Sequence, residues 1–206
     1  MLKTSDHDSA LHIVSWNDSG PMAKFLLAKG ATMDVRNNTG RTPLSQAVLY
    51  NALSVMQLLL EAGADIDPKN NTGQTPLSES VGYGTVRAAE LLLDRAADIS
   101  SIDNSGRTPL SHAACAHLGT KCLAILINKG ADIEIKDNTG RSALFHAVED
   151  GRKEAVTLLL DAGADPESAT NEGETPIDVA RSQEYHEITE LLETAAQKKS
   201  TILAAA

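Results

Sequence analysis

Asn38-Thr39-Gly40-Arg41-Thr42-Pro43-Leu44-Ser45 returns as Asn71-Thr72-Gly73-Gln74-Thr75-Pro76-Leu77-Ser78 and as Asn104-Ser105-Gly106-Arg107-Thr108-Pro109-Leu110-Ser111, each copy 33 residues after the last. A relaxed copy, Asn138-Thr139-Gly140-Arg141-Ser142-Ala143-Leu144-Phe145, follows 34 residues later, and Asn171-Glu172-Gly173-Glu174-Thr175-Pro176-Ile177-Asp178 comes 33 after that. Counting back 33 from Thr42 reaches Ser9-Ala10-Leu11-His12. A second marker keeps the same phase: Gly30-Ala31-Thr32, Gly63-Ala64-Asp65, Ala96-Ala97-Asp98, Gly130-Ala131-Asp132 and Gly163-Ala164-Asp165. Such a period, held in register from about residue 9 to 194, belongs to a stacked array of six units.

Each marker has a local physical reason. Thr caps a helix N-terminus, and Pro at the first helical position gives up no hydrogen bond. The Gly of Gly-Ala-Asp suits a left-handed residue that ends a helix. In Asn-Thr-Gly, Asn and Gly read as the chemistry of a tight turn. Apolar columns run down the array, one through Leu11, Leu44, Leu77, Leu110, Leu144 and Ile177, another through Phe25, Leu58, Leu91, Ile125, Leu158 and Leu191. Val55, Leu58 and Leu59 have helical spacing, so the second helix of a unit buries one face on the first. Ala47, Ser80, Ala113, Ala147 and Ala180 are small and let the paired helices approach closely.

On these residues the sequence resembles the ankyrin family, whose signature is this period and the Thr-Pro-Leu marker. The resemblance implies an all-α solenoid of hairpin–helix–turn–helix repeats starting near 9, 42, 75, 108, 142 and 175, with the domain over 1–194 and a tail over 195–206. It also implies that partners bind the concave side, built from hairpin tips and first helices. One departure is visible. The family's His after Leu survives only at His12, with Ser45, Ser78 and Ser111 in its place elsewhere, which weakens one expected side-chain bond per repeat.

Composition narrows the functions. Aromatic residues make up 3% of the chain, so aliphatic side chains must fill the core, and the net charge of -10 argues against neutralising nucleic-acid phosphates. No run approaches the ~18 apolar residues of a membrane helix. The stretch Met1-Leu2-Lys3-Thr4-Ser5-Asp6-His7-Asp8 has no apolar signal segment. Two cysteines, Cys115 and Cys122, do not make a secreted disulfide framework. A cytoplasmic setting is expected, with a nuclear one possible.

The ends should differ from the middle, because each unit is stabilised by stacking. Glu193 and Arg181 put polar residues in stacking columns and mark a C-terminal cap, whereas Ser15 is the polar entry at the first repeat. Phe25, Leu26 and Leu27 remain apolar there, so repeat 1 is either a modest cap or the continuation of a longer array.

Candidate partner-binding residues fall in columns that do not serve the stack. Near the ends of the first helices the chain places Trp16, Leu49-Tyr50, Tyr83 and Glu149-Asp150, with three of the six aromatics among them. Aromatic side chains on a rigid scaffold are common interface anchors. Tyr50 and Tyr83 are expected side by side, and the surface should grade from aromatic to anionic toward Glu149 and Asp150. Trp16 has a second reading, as a cover for the N-terminal face. Arg41, Arg107 and Arg141 at the finger tips would add a basic rim. Gln46, Glu79, His112 and His146 form a further column, read as semi-exposed polar groove residues that lie too far apart for direct bonds. His117 sits at the array's one-residue insertion, which should push it outward.

Chemistry is the rival reading. Glu79, His112 and His146 are material for acid–base catalysis or small-molecule binding, and a deep closed pocket over them would favour it. His112 and Cys115 suit two metal ligands, but Cys122 falls in a core column and no fourth ligand has firm spacing. Neither a phosphate loop nor a hydrolase or metalloprotease motif occurs. The expectation is therefore a non-enzymatic interaction module without cofactor or metal, binding a protein partner, and either monomeric or part of a larger chain.

Overall fold

Thr42, Thr75 and Thr108 have extended backbone, and each Thr Oγ1 accepts the backbone N–H of the Ser three residues on. That cap, with proline next, starts every complete copy of the first helix. The computed structural model, which describes residues 7–205 and side chains through 201, repeats the hydroxyl cap six times, with alanine in place of proline after Ser9 and Ser142. The sequence readings for residues 1–6 and for Ala206 lie outside the described residues.

The first helices are α1 (Ala10–Trp16), α3 (Pro43–Leu49), α5 (Pro76–Gly82), α7 (Pro109–Cys115), α9 (Ala143–Glu149) and α11 (Pro176–Ser182). The second helices are α2 (Gly20–Ala28), α4 (Leu53–Glu61), α6 (Val86–Asp94), α8 (Thr120–Asn128), α10 (Lys153–Asp161) and α12 (His186–Ala205). First helices pack on first helices and second on second, so the chain forms two parallel rows. Leu44, Leu77, Leu110 and Leu144 are fully buried between them, as are Ala47, Ser80, Ala113, Ala147 and Ala180. Each such leucine contributes about 2 kcal/mol by leaving water.

The fingers between repeats contain no strand among the described residues. They are turns, and the asparagine of the tip does not make them. The residue before it does: Asn37 Oδ1 accepts the backbone N–H groups of Thr39 and Arg41 at 3.0 Å each. Asn70, Asp103 and Asp137 repeat the arrangement. The tip asparagine instead joins one finger to the next. Asn71 N–H donates to the Thr39 carbonyl at 3.1 Å and its Nδ2 to the Asn38 carbonyl at 2.8 Å. The same pair of bonds recurs at Asn104, Asn138 and Asn171. A side chain on Gly40 (φ 77°) would run into Asn71, so glycine there serves both the turn and the rail.

Both ends depart from the sequence reading in detail. Ser15 is not a solvent-facing cap residue: it is buried, and its Oγ donates to the carbonyls of Leu11 and Pro43. At the other end Arg181 and Glu193 cap the stack as an ion pair at 2.8 Å. Helix α12 does not stop near 194 but runs to Ala205, and Lys199 ties it to Asp165 at 2.7 Å and Glu167 at 3.4 Å on the preceding repeat. Most of the expected tail is therefore helix.

Ala96 occupies the left-handed position at φ 63°, where Gly30, Gly63, Gly130 and Gly163 stand in the other repeats. An L-residue is strained there by about 1 kcal/mol, offset in part by the lower entropy of its unfolded chain. Ala96→Gly is expected to raise the urea midpoint of unfolding, by less than about 1 kcal/mol in stability. An unchanged or lower midpoint in equilibrium denaturation would show that this residue carries no strain.

Candidate interaction site

The column expected to be semi-exposed is sealed. Gln46, Glu79, His112 and His146 are all buried, with His146 at 1% exposure. They do not bond one another, in keeping with the spacing of the first helices. Each of the last three is instead met from two directions. One partner lies nine residues earlier, in the turn of the same repeat: Asn70 Nδ2 donates to Glu79 Oε1 at 3.0 Å, while Asp103 Oδ2 and Asp137 Oδ2 lie 3.0 and 2.9 Å from Nε2 of His112 and His146. The other comes from the finger of the preceding repeat: Arg41 on Glu79 at 2.7 Å, Gln74 on His112 at 3.5 Å and Arg107 on His146 at 3.3 Å.

The turn residue is complementary to the helix residue at each step, although Glu79 takes its bonds on Oε1 and leaves Oε2 buried without a partner. Where the helix offers a carboxylate, the turn supplies an amide; where it offers an imidazole, the turn supplies a carboxylate. Histidine nitrogens meeting Asp oxygens in this way must donate from Nε2, which fixes the tautomer.

The three arginines do not form a basic rim. Arg41 is held by Glu79 and also donates to the Tyr83 hydroxyl at 3.3 Å. Arg107 turns to His146, with its Nε 3.9 Å from Asp137 Oδ2. Arg141 lies over the Phe145 ring at 5.3 Å and pairs with Glu149 at 3.0 Å. That pairing also corrects the expected anionic end of the surface, because Glu149 is compensated and Asp150 is left as the exposed acid beside it.

Burial sets the protonation states. It pushes the pKa values of His12, His112 and His146 below the ordinary 6.5, and at His146 the neighbouring Arg107 adds to the effect. Burial raises Glu79 despite Arg41 and Asn70. Asp137 goes the other way: burial opposes its charge, but bonds from the Thr139 hydroxyl and the backbone of Arg141 and Thr139 outweigh it and hold the pKa down.

The aromatic residues stay outside this network. Trp16, Tyr50 and Tyr83 are 38%, 49% and 47% exposed. The ring pair is not Tyr50 with Tyr83, however, but Trp16 with Tyr50, centroids 6.2 Å apart and planes tilted by 48°. Tyr83 is drawn aside by Arg41. Leu49, next to Tyr50 in sequence, is half-buried. His117 is exposed, and Arg152 bridges it to the Cys115 carbonyl at 2.9 and 3.3 Å.

An open hollow of about 530 Å³ between the fingers of repeats 3 to 5 touches Gln74, Asp103, Arg107, His112, Asp137 and Arg141, but neither Glu79 nor His146. A larger one, about 1120 Å³ between α10 and α12, is floored by Leu160, Ala164, Leu191 and Ala195 and touches none of the expected site residues. Cys115 Sγ donates to the His112 carbonyl at 3.4 Å and Cys122 is core, and no cluster of three or more metal-binding side chains occurs among the described residues.

A family model described as ankyrin repeats (3 copies) matches residues 1–70, 63–137 and 112–202. The chain belongs to the ankyrin-repeat family. Among solved structures it is similar to the ankyrin repeat domain of Bcl-3, described as a unique member of the IkappaB protein family, with 29% identity, 93% of this chain and 87% of that one covered, and a TM-score of 0.82. An ankyrin repeat domain from Acinetobacter baumannii AYE is 32% identical, with 90% and 97% covered and a TM-score of 0.81. A search of curated protein sequences finds no match. Ankyrin-repeat domains generally mediate protein–protein interactions. No helix among the described residues is long and apolar enough to cross a membrane.

Two predictions follow from the ladder. Arg41→Ala strands the buried Glu79 carboxylate and is expected to cost about 3 kcal/mol, most of it recovered when Glu79→Gln is added; urea melts of the three variants measure this, and a double variant as unstable as the single would refute the pairing. For the histidines the pH dependence has a definite sign. A histidine with its folded pKa depressed contributes stability that is complete above the unfolded value near 6.5 and is lost as pH falls toward the folded one. His112→Gln/His146→Gln should therefore lose less stability than the wild type between pH 7.5 and 5. Parallel slopes in urea denaturation would contradict the assignment.

Proposed function

We propose that this ankyrin-repeat chain is a protein-interaction module that takes its partner across the finger tips and the ends of the first helices. Trp16 and Tyr50 are the anchors, with Tyr83 beside them. The observation that carries this reading is the Trp16–Tyr50 pair: two large rings, exposed, touching each other and contributing no residue to the apolar columns. Exposed aromatic pairs on a rigid frame offer large contact area with little rotamer entropy to lose on binding. Leu49, Arg107, Arg141, His117, Glu149 and Asp150 border the same face and would meet the partner at its rim. Glu79, His112 and His146 act through the finger positions they hold, and Gln46 is buried in the same column.

The enzymatic alternative has less support. His112, His146 and Oε1 of Glu79 have partners inside the protein, and neither hollow joins the three residues. On this reading the module is not an enzyme.

The test begins with a partner captured by chemical cross-linking to the wild type. Trp16→Ala and Tyr50→Ala are each expected to weaken its binding by about 2 kcal/mol, roughly thirtyfold, with circular dichroism and melting nearly unchanged. His112→Gln/His146→Gln should bind within a few-fold of the wild type. Normal binding by the aromatic variants together with failure of the histidine variant would transfer the site to the ladder.

A further inference from the structure

We propose that His146 is a proton-operated latch: its unprotonated Nδ1 holds the Arg107 finger tip against the fifth repeat, and a proton on that nitrogen exchanges Arg107 for Glu149 and frees the guanidinium. The geometry leaves little choice of state. Nε2 lies 2.9 Å from Asp137 Oδ2, so it carries the ring's hydrogen and donates. Nδ1 lies 3.3 Å from Arg107 Nη2, and a guanidinium can only donate, so Nδ1 offers its lone pair. Nδ1 is also 3.8 Å from Glu149 Oε2, an acceptor about 0.6 Å beyond hydrogen-bond reach.

A proton taken from water onto Nδ1 reverses these relations. N–H then faces N–H and cation faces cation on the Arg107 side, while Glu149 gains a charged donor. Arg107 has one other hold, the 3.9 Å contact to an Asp137 oxygen already occupied by Nε2–H. The side chains differ in freedom as well: His146 is 1% exposed and Arg107 32%, so the arginine leaves and the ring stays.

The charged groups that act on the ring are Arg107, Asp137 and Glu149, and α10, which also packs on α9, supplies none of them. Asp137 and Arg141 come from the repeat's own finger, Arg107 from the preceding one and Glu149 from α9 itself. In the neighbouring helices, His112 stands at the equivalent position on α7 and the apolar Val179 on α11. Burial and Arg107 push proton affinity down while Asp137 and Glu149 raise it, with a net depression. The latch is closed at neutral pH and opens in acid. His112 is not a second copy of it, because Gln74 lies at Nε2, the nitrogen that also meets Asp103, and not at Nδ1. The inference does not depend on what binds the face. It supplies one more free cation there in acid.

The experiment is NMR on the whole chain with labelled histidine and arginine. Nitrogen shifts at pH 7.5 are expected to show His146 protonated at Nε2 alone, with a nuclear Overhauser contact from its Hε1 to the Arg107 side chain. That contact should vanish on acidification with the same midpoint as the ring's titration. In Glu149→Gln, a change at a half-exposed residue, the midpoint should move to lower pH; in His146→Gln, the Arg107 side-chain shifts should not respond to pH over the same range. An Nδ1–H tautomer at pH 7.5, a contact that survives the titration, or a midpoint unmoved by Glu149→Gln would each overturn the latch.

Discussion

No repeat in this chain closes its own core. The leucine of each Thr-Pro-Leu marker is buried because a helix pair from the next layer covers it, and without that layer it would face water. The requirement fixes how far apart successive layers sit and in what register, and the other regularities follow. With layers one helix diameter apart, the finger tips come close enough for Asn71 to reach the Asn38 and Thr39 carbonyls, so the backbone polar groups of the fingers find partners that no strand provides. The rail of asparagines is thus a consequence of apolar stacking, and it holds the turns in line once stacking has occurred.

The same register produces the buried ladder. A side chain four positions beyond the turn residue extends over the first helix of the next repeat, and it meets whatever stands one position after the Thr-Pro-Leu-Ser marker. Burying a charge or an imidazole there is tolerable only if every polar atom is matched. The chain answers that demand with different residues each time, Asn70 with Glu79, Asp103 with His112 and Asp137 with His146, and leaves Glu79 Oε2 as the buried atom on these three side chains without a partner. Where the helix position is the apolar Val179, the turn residue is Thr170, whose hydroxyl serves its own turn.

Columns read at a period of 33 made the fold legible, because stacking compares like with like: Leu44 with Leu77, Ala47 with Ser80, and Gly63 with the strained Ala96. The ladder was hidden from that reading. Its contacts run along diagonals, nine residues back and about 38 back, and each column by itself looks like unrelated polar residues. A signal was present: aspartate stands nine before each of His112 and His146, and asparagine nine before Glu79. The fate of Arg41, Arg107 and Arg141 was invisible for the same reason, since a finger-tip arginine beside a turn reads as solvated until the acid or imidazole beneath it is identified. Likewise the ring contact of Trp16 with Tyr50 crosses columns, while the Tyr50–Tyr83 contact suggested by one column is broken by Arg41.

What the ladder consumes bears on what is left for recognition. A polar group with all its partners inside the protein offers a ligand little, because binding must first break those bonds. His146, met at both ring nitrogens, is the most fully engaged, and Glu79 Oε1 holds both Arg41 and Asn70 while its Oε2 is buried without a partner. Of the exposed rings on the same face, Tyr83 is held by Arg41 while Trp16 and Tyr50 hold each other, and the exposure of that pair has no structural benefit in a stack that Leu, Ala and Val already hold together. The two ends of the array sharpen the contrast. At the C-terminal end Arg181 and Glu193 close the stack with a polar pair and α12 is strapped down by Lys199, whereas Met22 and Phe25 of α2 stand open at the first repeat, near the end of the array that carries Trp16 and Tyr50. Exposed large apolar side chains are thus most numerous over repeats 1 and 2, at Trp16, Met22, Phe25, Val35 and Tyr50, whereas repeat 4 shows Leu118 between α7 and α8 and its concave face is governed by arginines folded onto acids and imidazoles.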